Sequence, residues 1–189
     1  MTQTLATRRP WLVRIALVLF LAAAVHVMAI WAAPRVIMAV LLQRLPGTSP
    51  DTASGAFFPP AVTASSRAVV MPSPDMLYSI CLIDVAQGPV HITAHPELRS
   101  YWSIALYADN SDNYFVLNDR QAGTRPVDLW VVPHDASPVR KAAPAGATVV
   151  VAPSRRGLLL MRVLTGNYTV EKDVLEKARR SLACTAGPV

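Results

Sequence analysis

The chain has 189 residues, 52% of them hydrophobic and 16% charged, with 18 Lys and Arg against 12 Asp and Glu for a formal charge of +6. A mean hydropathy of +0.33 excludes an intrinsically disordered chain, which combines low hydrophobicity with high net charge, and fits a plain cytosolic globule poorly. The length suits one ordinary domain plus an appendage.

The apolar excess lies at the front. From Ile15 to Pro34, twenty consecutive residues contain no Asp, Glu, Lys or Arg. At about 1.5 Å per helical residue such a run reaches ~30 Å, the thickness of a bilayer's hydrocarbon core. Leu17, Leu19, Phe20, Leu21, Val25, Val27, Met28 and Ile30 are distributed all round a helix with no polar stripe, as a lipid-facing span requires. Trp11 and Trp31 stand near its ends, where amphipathic rings suit the headgroup level. Residues 15–34 are therefore expected to form a transmembrane helix serving as a signal anchor. The alternatives are a secretory signal peptide cleaved near Ala22-Ala23-Ala24 and a buried core helix. Arg8, Arg9 and Arg14 before the span outnumber Arg35 and Arg44 after it, which puts residues 1–14 in the cytoplasm and the rest of the chain outside. His26, inside the span, reads as a proton relay or helix-to-helix hydrogen-bonding group, or as a neutral imidazole bonded to a neighbouring carbonyl. Pro34 is expected to kink or end the helix, with Val36 to Leu42 resuming it along the outer membrane interface.

Residues 35–66 read as a juxtamembrane segment and linker, turn-rich from Pro46 to Gly55 and again at Pro59-Pro60 and Ser65-Ser66, with Phe57 and Phe58 expected to dock on the domain beyond. Residues 1–66 hold five Arg and one Asp, a net +4, which leaves 13 basic and 11 acidic residues, a net +2, in 67–189. The basic balance is thus chiefly a topology signal, and no nucleic-acid partner is expected.

Residues 67–189 read as a periplasmic β-rich domain. Met76 to Val85 and Val90 to Thr93, separated by Gln87-Gly88-Pro89, suggest a hairpin. In Tyr101 to Tyr107, the period of two places Trp102, Ile104 and Leu106 on one buried face. After a turn at Asp109 to Asn113 come strands at Tyr114 to Leu117, Val127 to Val132, Thr148 to Val151 and Gly157 to Val163, separated by Pro133, Pro138, Pro144, Gly146 and Pro153. The pattern predicts a mainly β fold, an antiparallel sandwich or jelly-roll-like domain. A C-terminal helix comes last, with Val174, Leu175, Ala178 and Leu182 on its apolar face and Arg179 and Arg180 complementing its dipole. The capping-box spacing of Asp173 and Glu176 would start it there.

Met71-Pro72-Ser73-Pro74-Asp75-Met76-Leu77-Tyr78-Ser79, Asp84, Gly88-Pro89-Val90, Tyr101-Trp102, Asp109, Asn113-Tyr114-Phe115, Val151-Ala152-Pro153 and Leu160-Met161-Arg162 form an ordered set. In this order they resemble the family called domain of unknown function 1254, in its short, membrane-anchored bacterial version, over roughly residues 10 to 185. The usual first motif has Asn where Ser73 and Pro74 stand. The resemblance implies a β-rich fold and, as a partner, an envelope protein carrying a domain of unknown function 1214; it implies no established chemistry.

Cys81, in a strand, and Cys184, beyond the helix, are expected to form a disulfide in an oxidising compartment; the alternative is a buried free Cys81 with an exposed Cys184. Weak metal candidates are His91, His95 and Glu97, since the Gly and Pro residues around the two His place them on a strand and at its end, where a spacing of four does not bring them together. Asp75, Asp84, Asp109 and His134 are further acid/base candidates. No nucleophile elbow, phosphate loop, CxxC or HExxH is present, and no cofactor is implied. The expected function is that of a single-pass inner-membrane protein, in contact with the lipid bilayer, whose periplasmic domain is an interaction, structural or ligand-binding module and not an enzyme. The alternative is a membrane-tethered periplasmic hydrolase or metal-dependent enzyme.

Overall fold

The computed structural model describes residues 9–45, 54–66, 72–134, 144 and 146–187; the turn-rich stretch 46–53 and the break at Pro138 lie outside them. The first element is one helix, α1 (Arg9–Arg44), long and apolar enough to cross a membrane. Its span residues, Leu17, Phe20, Val25, Val27 and Met28 among them, are exposed, so it is not a core helix of this domain.

Of the two outcomes expected at Pro34, a kink or an end, the helix does not end there: α1 continues to Arg44. A proline inside a helix removes one backbone donor and crowds the preceding turn. Two side-chain bonds lie beside it: Arg35 Nη1 donates to the Trp31 carbonyl at 2.6 Å, and Ser111 Oγ donates to the Pro34 carbonyl at 3.2 Å, tying the helix to the domain. The guanidinium of Arg35 also lies 4.3 Å from the centre of the Trp31 ring. The next segment is docked on the domain. Met38, Leu41, Leu42 and Leu45 recur at i, i+3, i+4 and i+7, one stripe of a helix, and that stripe packs on Phe57, Ile80, Leu82, Tyr107, Leu158 and Leu160.

Beyond α1 there are nine strands among the described residues: β1 (Ala56–Phe57), β2 (Met76–Asp84), β3 (Val90–Ala94), β4 (Trp102–Ala108), β5 (Asn113–Asn118), β6 (Val127–Val132), β7 (Thr148–Val151), β8 (Arg156–Leu164) and β9 (Ala183–Ala186). They form two sheets, ordered β1-β2-β8-β4-β5 (sheet A) and β7-β6-β3-β9 (sheet B). The fold is therefore mainly β, a sandwich with a C-terminal helix and a long N-terminal apolar one. Sheet A is antiparallel throughout, but β6 and β7 pair in parallel. A parallel pair needs a crossover of a dozen or more residues, and residues 133–147 supply that length. The expected hairpin of β2 with β3 does not form: after the single 3-10 turn Val85–Gln87, capped by Asp84, the chain passes to the other sheet.

Alternate residues of both sheets face one core. Leu77, Ile83, Ile104, Leu106, Leu159, Met161 and Val163 from sheet A meet Val90, Ile92, Leu129, Val131 and Val150 from sheet B. Each side chain of this kind contributes about 1.5–3 kcal/mol by leaving water. A short helix, α2 (Asp119–Ala122), is started by a reciprocal cap in which Asn118 Oδ1 accepts from Gln121 N and Gln121 Oε1 accepts from Asn118 N, both at 3.0 Å. The terminal helix, α3 (Tyr168–Arg180), closes one end of the core with Leu175 and is followed by the buried Leu182. It begins five residues before the position predicted from Asp173, because Tyr168 packs against the core and the Asn167 carbonyl accepts from Val170 N and Glu171 N.

One edge of the sandwich is closed by residues read as linker. The Ser54 carbonyl accepts from Cys184 N of β9 at 2.6 Å, and two residues on β1 pairs with β2. Gly55, between them, has φ +64°, and a Cβ there would collide with the Cys184 carbonyl oxygen, so only glycine fits the crossing. At the same edge Cys81 of β2 and Cys184 of β9 form a disulfide between the two sheets, with Cα atoms 6.4 Å apart.

Candidate functional site

Apart from Asp75, the chemistry-bearing residues fall into four separate places. On the outer face of sheet B, the alternation of β3 turns His91 away from the core. His91 Nε2 lies 2.9 Å from Asp128 Oδ1, and its ring stacks on Trp130 with centroids 4.7 Å apart and planes 25° apart. Trp130 is 5% exposed, and its Nε1 has no hydrogen-bond partner among the described residues. An imidazole held by a carboxylate can accept or deliver a proton, with the ring orientation set by the pair.

His95 lies beyond the end of β3, four residues from His91, or about 13 Å along an extended chain. It faces Glu97 (Nδ1 to Oε1, 3.7 Å), and Glu97 also faces Lys177 Nζ at 3.4 Å, around a small cleft of about 120 Å³ against α3. His91, His95 and Glu97 are therefore divided between two pairs, and no three His, Cys, Asp or Glu side chains group as metal ligands among the described residues.

At the base of α3 sits a charge knot that composition alone assigns to the helix dipole. Arg179 is 3% exposed; it grips Glu176 through Nε and Nη2 at 2.9 and 2.8 Å, and its Nη1 donates to the carbonyls of Pro59 and Tyr78 at 2.6 and 3.1 Å. Burial pushes the Glu176 carboxyl up, but hydrogen bonds from Arg179, Arg180 and Tyr168 with the charge of Arg179 outweigh it and hold the group below the ordinary carboxylate range. Burial together with the bond to Glu176 raises the Tyr168 phenol. Burial alone pushes Tyr114 up to about 12.

The fourth place is the end of the sandwich that faces α1. Asp84 accepts from Ala86 N at 2.9 Å, from Arg155 Nε at 3.4 Å and from Arg156 Nε at 3.1 Å. Burial works to raise its carboxyl, but these three contacts hold it below its usual value. Asp109 joins Arg155, Arg156, Arg35, Ala39, Leu42 and Gln43 around a groove of about 590 Å³ between α1 and the sandwich. His134 lines a neighbouring hollow of about 340 Å³ that also includes Arg155. Asp84, Asp109 and His134 are thus gathered round the turn between β7 and β8, whereas Asp75, before β2, sits at the far end, its carbonyl accepting from Thr165. Sequence reading misses Asp128, because a cross-strand partner 37 residues away leaves no local mark. It also passes over Arg155 and Arg156, although Pro153-Ser154-Arg155-Arg156-Gly157 is a plain turn with two adjacent cations.

A family model described as Protein of unknown function (DUF1254) matches residues 56–186. The chain belongs to this family. The matched span begins at the first residue of β1 and ends at the last residue of β9, and α1 lies outside it. Among curated proteins none matches. The crystal structure of the VPA0106 protein from Vibrio parahaemolyticus is similar in fold, with a TM-score of 0.53 and 20% identity over 61% of this chain. This chain spans only 28% of that protein's length. A structure of an uncharacterized protein from Burkholderia cenocepacia matches with a TM-score of 0.42 and 15% identity, over 71% of this chain and 36% of that one.

Proposed function

We propose that this DUF1254 chain is a single-pass inner-membrane protein with its N-terminus in the cytoplasm and its sandwich in the periplasm, where the domain is an interaction, structural or ligand-binding module. The observation that carries the reading is the mounting of α1. The helix leaves its apolar run and continues without a break onto sheet A, where Met38, Leu41, Leu42 and Leu45 seat it. A flexible tether would let the domain wander; a docked helix holds it at one height and one orientation above the bilayer. A disulfide between Cys81 and Cys184 suits an oxidising space. The partner we favour is an envelope protein carrying a domain of unknown function 1214, following the family resemblance.

Two measurements test this. A reporter active only in the periplasm, fused after Val189, is expected to be active, and activity from a cytoplasm-only reporter at the same position would overturn the orientation. Cross-linking in intact cells, followed by purification through the full chain, is expected to recover a protein with that accompanying domain; its absence from the cross-linked species removes the partner.

A membrane-tethered periplasmic enzyme is the second reading, favoured by one observation, the His91 and Asp128 pair over Trp130. Stoichiometric zinc or iron in the purified full chain, lost on His91→Ala, would establish it in place of the first.

A further inference from the structure

We propose that the groove between α1 and the β7 to β8 turn binds the phosphodiester headgroup of an anionic membrane phospholipid. The inference rests on the anchored reading, because the bilayer is what brings such headgroups to this height. The headgroup layer is about 5–8 Å deep on each side of the ~30 Å hydrocarbon core. Arg35 is the first charged residue after the apolar run, so it stands in that layer, and the lipid-facing Trp31 ring carries its guanidinium. Residues 35–43 then rise by about 12 Å as helix, forming one wall of the groove with Ala39, Leu42 and Gln43.

The opposite wall of the same groove is lined by Arg155 and Arg156. They arrive there because α1 is clamped to the sandwich, by Ser111 at Pro34 and by the apolar stripe beyond it. The lining charges are three Arg against Asp109, and Asp84 behind them pairs with Arg155 and Arg156, so the sum over these five groups is +1. Both pairs to Asp84 run through Nε, and the Arg155 and Arg156 side chains remain 65% and 66% exposed. Their forked ends are therefore presented to solvent, and a planar fork of donors is the geometry that engages a phosphate. Because α1 lies outside the matched family segment, the groove is a property of this chain's mounting and not of the DUF1254 domain by itself.

The test uses the full-length chain purified in detergent, with native mass spectrometry reading retention of phosphatidylglycerol, phosphatidylcholine or inorganic phosphate. Wild type is expected to hold phosphatidylglycerol in preference to phosphatidylcholine. The exposed pair Arg155→Gln with Arg156→Gln is expected to weaken retention about tenfold, from the loss of charge-assisted bonds. Arg120→Gln on α2 should leave it unchanged. Equal retention of the two lipids, displacement of lipid by inorganic phosphate at equal concentration, or wild-type retention by the double variant would each overturn the proposal. Fractionation of the same strains separates the two failures. A wild-type chain absent from the membrane fraction sinks the anchored reading and this inference with it. A chain that stays in the membrane while the double variant retains lipid normally sinks this inference alone.

Discussion

The two outer faces of the sandwich are finished in opposite ways. Sheet A turns Ile80, Leu82, Leu158 and Leu160 outward and covers them with the last turns of α1. Sheet B turns out His91, Thr93, Asp128 and Trp130, where His91 is held by the Asp128 carboxylate and stacks on the Trp130 ring. The sequence of each strand reflects which finish it receives. β8 reads Leu158-Leu159-Leu160-Met161, a continuous apolar run, because both of its faces are buried, whereas β3 alternates as Val90-His91-Ile92-Thr93. A strand's second face thus reports whether another element covers it, and here the covering element is the end of the long apolar helix α1.

The contrast between the faces holds only while the two sheets behave as one body, and the largest effect should come from cutting their covalent join. Replacing Cys81 and Cys184 by Ser together is expected to lower unfolding stability by about 2–5 kcal/mol, since the bridge closes a loop with a sequence separation of 103. Denaturant titration with and without reductant reads this directly: wild type should fall to the level of the variant when reduced, and the variant should not respond. Equal stability under all conditions would mean that the sheets need no join. Next in size is the covered face. Met38→Ala and Leu45→Ala each remove a buried side chain, at a cost of about 2–3 kcal/mol for a site at the edge of the structure. Limited proteolysis should then cut after α1 while the sandwich stays intact. Loss of the sandwich as well would show that the helix is part of the core and not a mount.

How much of this was legible in the sequence depends on whether the signal is local. Alternation at Trp102, Ile104 and Leu106 is enough to place β4, and β2 to β8 all fall where β-rich runs meet turn residues. β1 is two residues inside a Pro- and Gly-rich stretch and exists only through its pairing with Cys81 and Ile80. β9 similarly depends on β3. The spacing of Asp173 and Glu176 mimics a cap, but Glu176 is committed to Arg179, a contact that no local pattern announces. The mount is the instructive intermediate. The repeat at 38, 41, 42 and 45 shows an amphipathic stripe, and only the tertiary structure shows that it meets a sheet and not a lipid surface.

The charge knot adds a pH axis to the contrast. Glu176 has a carboxyl held below its unfolded value, so its contribution to stability is present above the ordinary carboxylate pKa of about 4.3 and is lost as pH falls through the lower folded value. Thermal unfolding followed downward from neutral pH should show a loss of stability in that acid window. Glu176→Gln should flatten the acid slope at the expense of stability at neutral pH, because Arg179 is then left buried without its counter-charge. An unchanged slope would place the acid sensitivity elsewhere, at Asp84 first, whose carboxyl is lowered in the same sense.

The smallest effect is expected on the open face. The His91 and Asp128 side chains are 30% and 44% exposed, so their pair sits where water screens it, and surface pairs of this kind are worth about 0.2–1 kcal/mol. Asp128→Asn and His91→Ala, measured singly and together by denaturant unfolding, should show a coupling within that range. A coupling above about 2 kcal/mol would mean that the pair is desolvated like the Arg179 knot. The face of sheet B would then be a covered surface like that of sheet A, with its covering element still to be found.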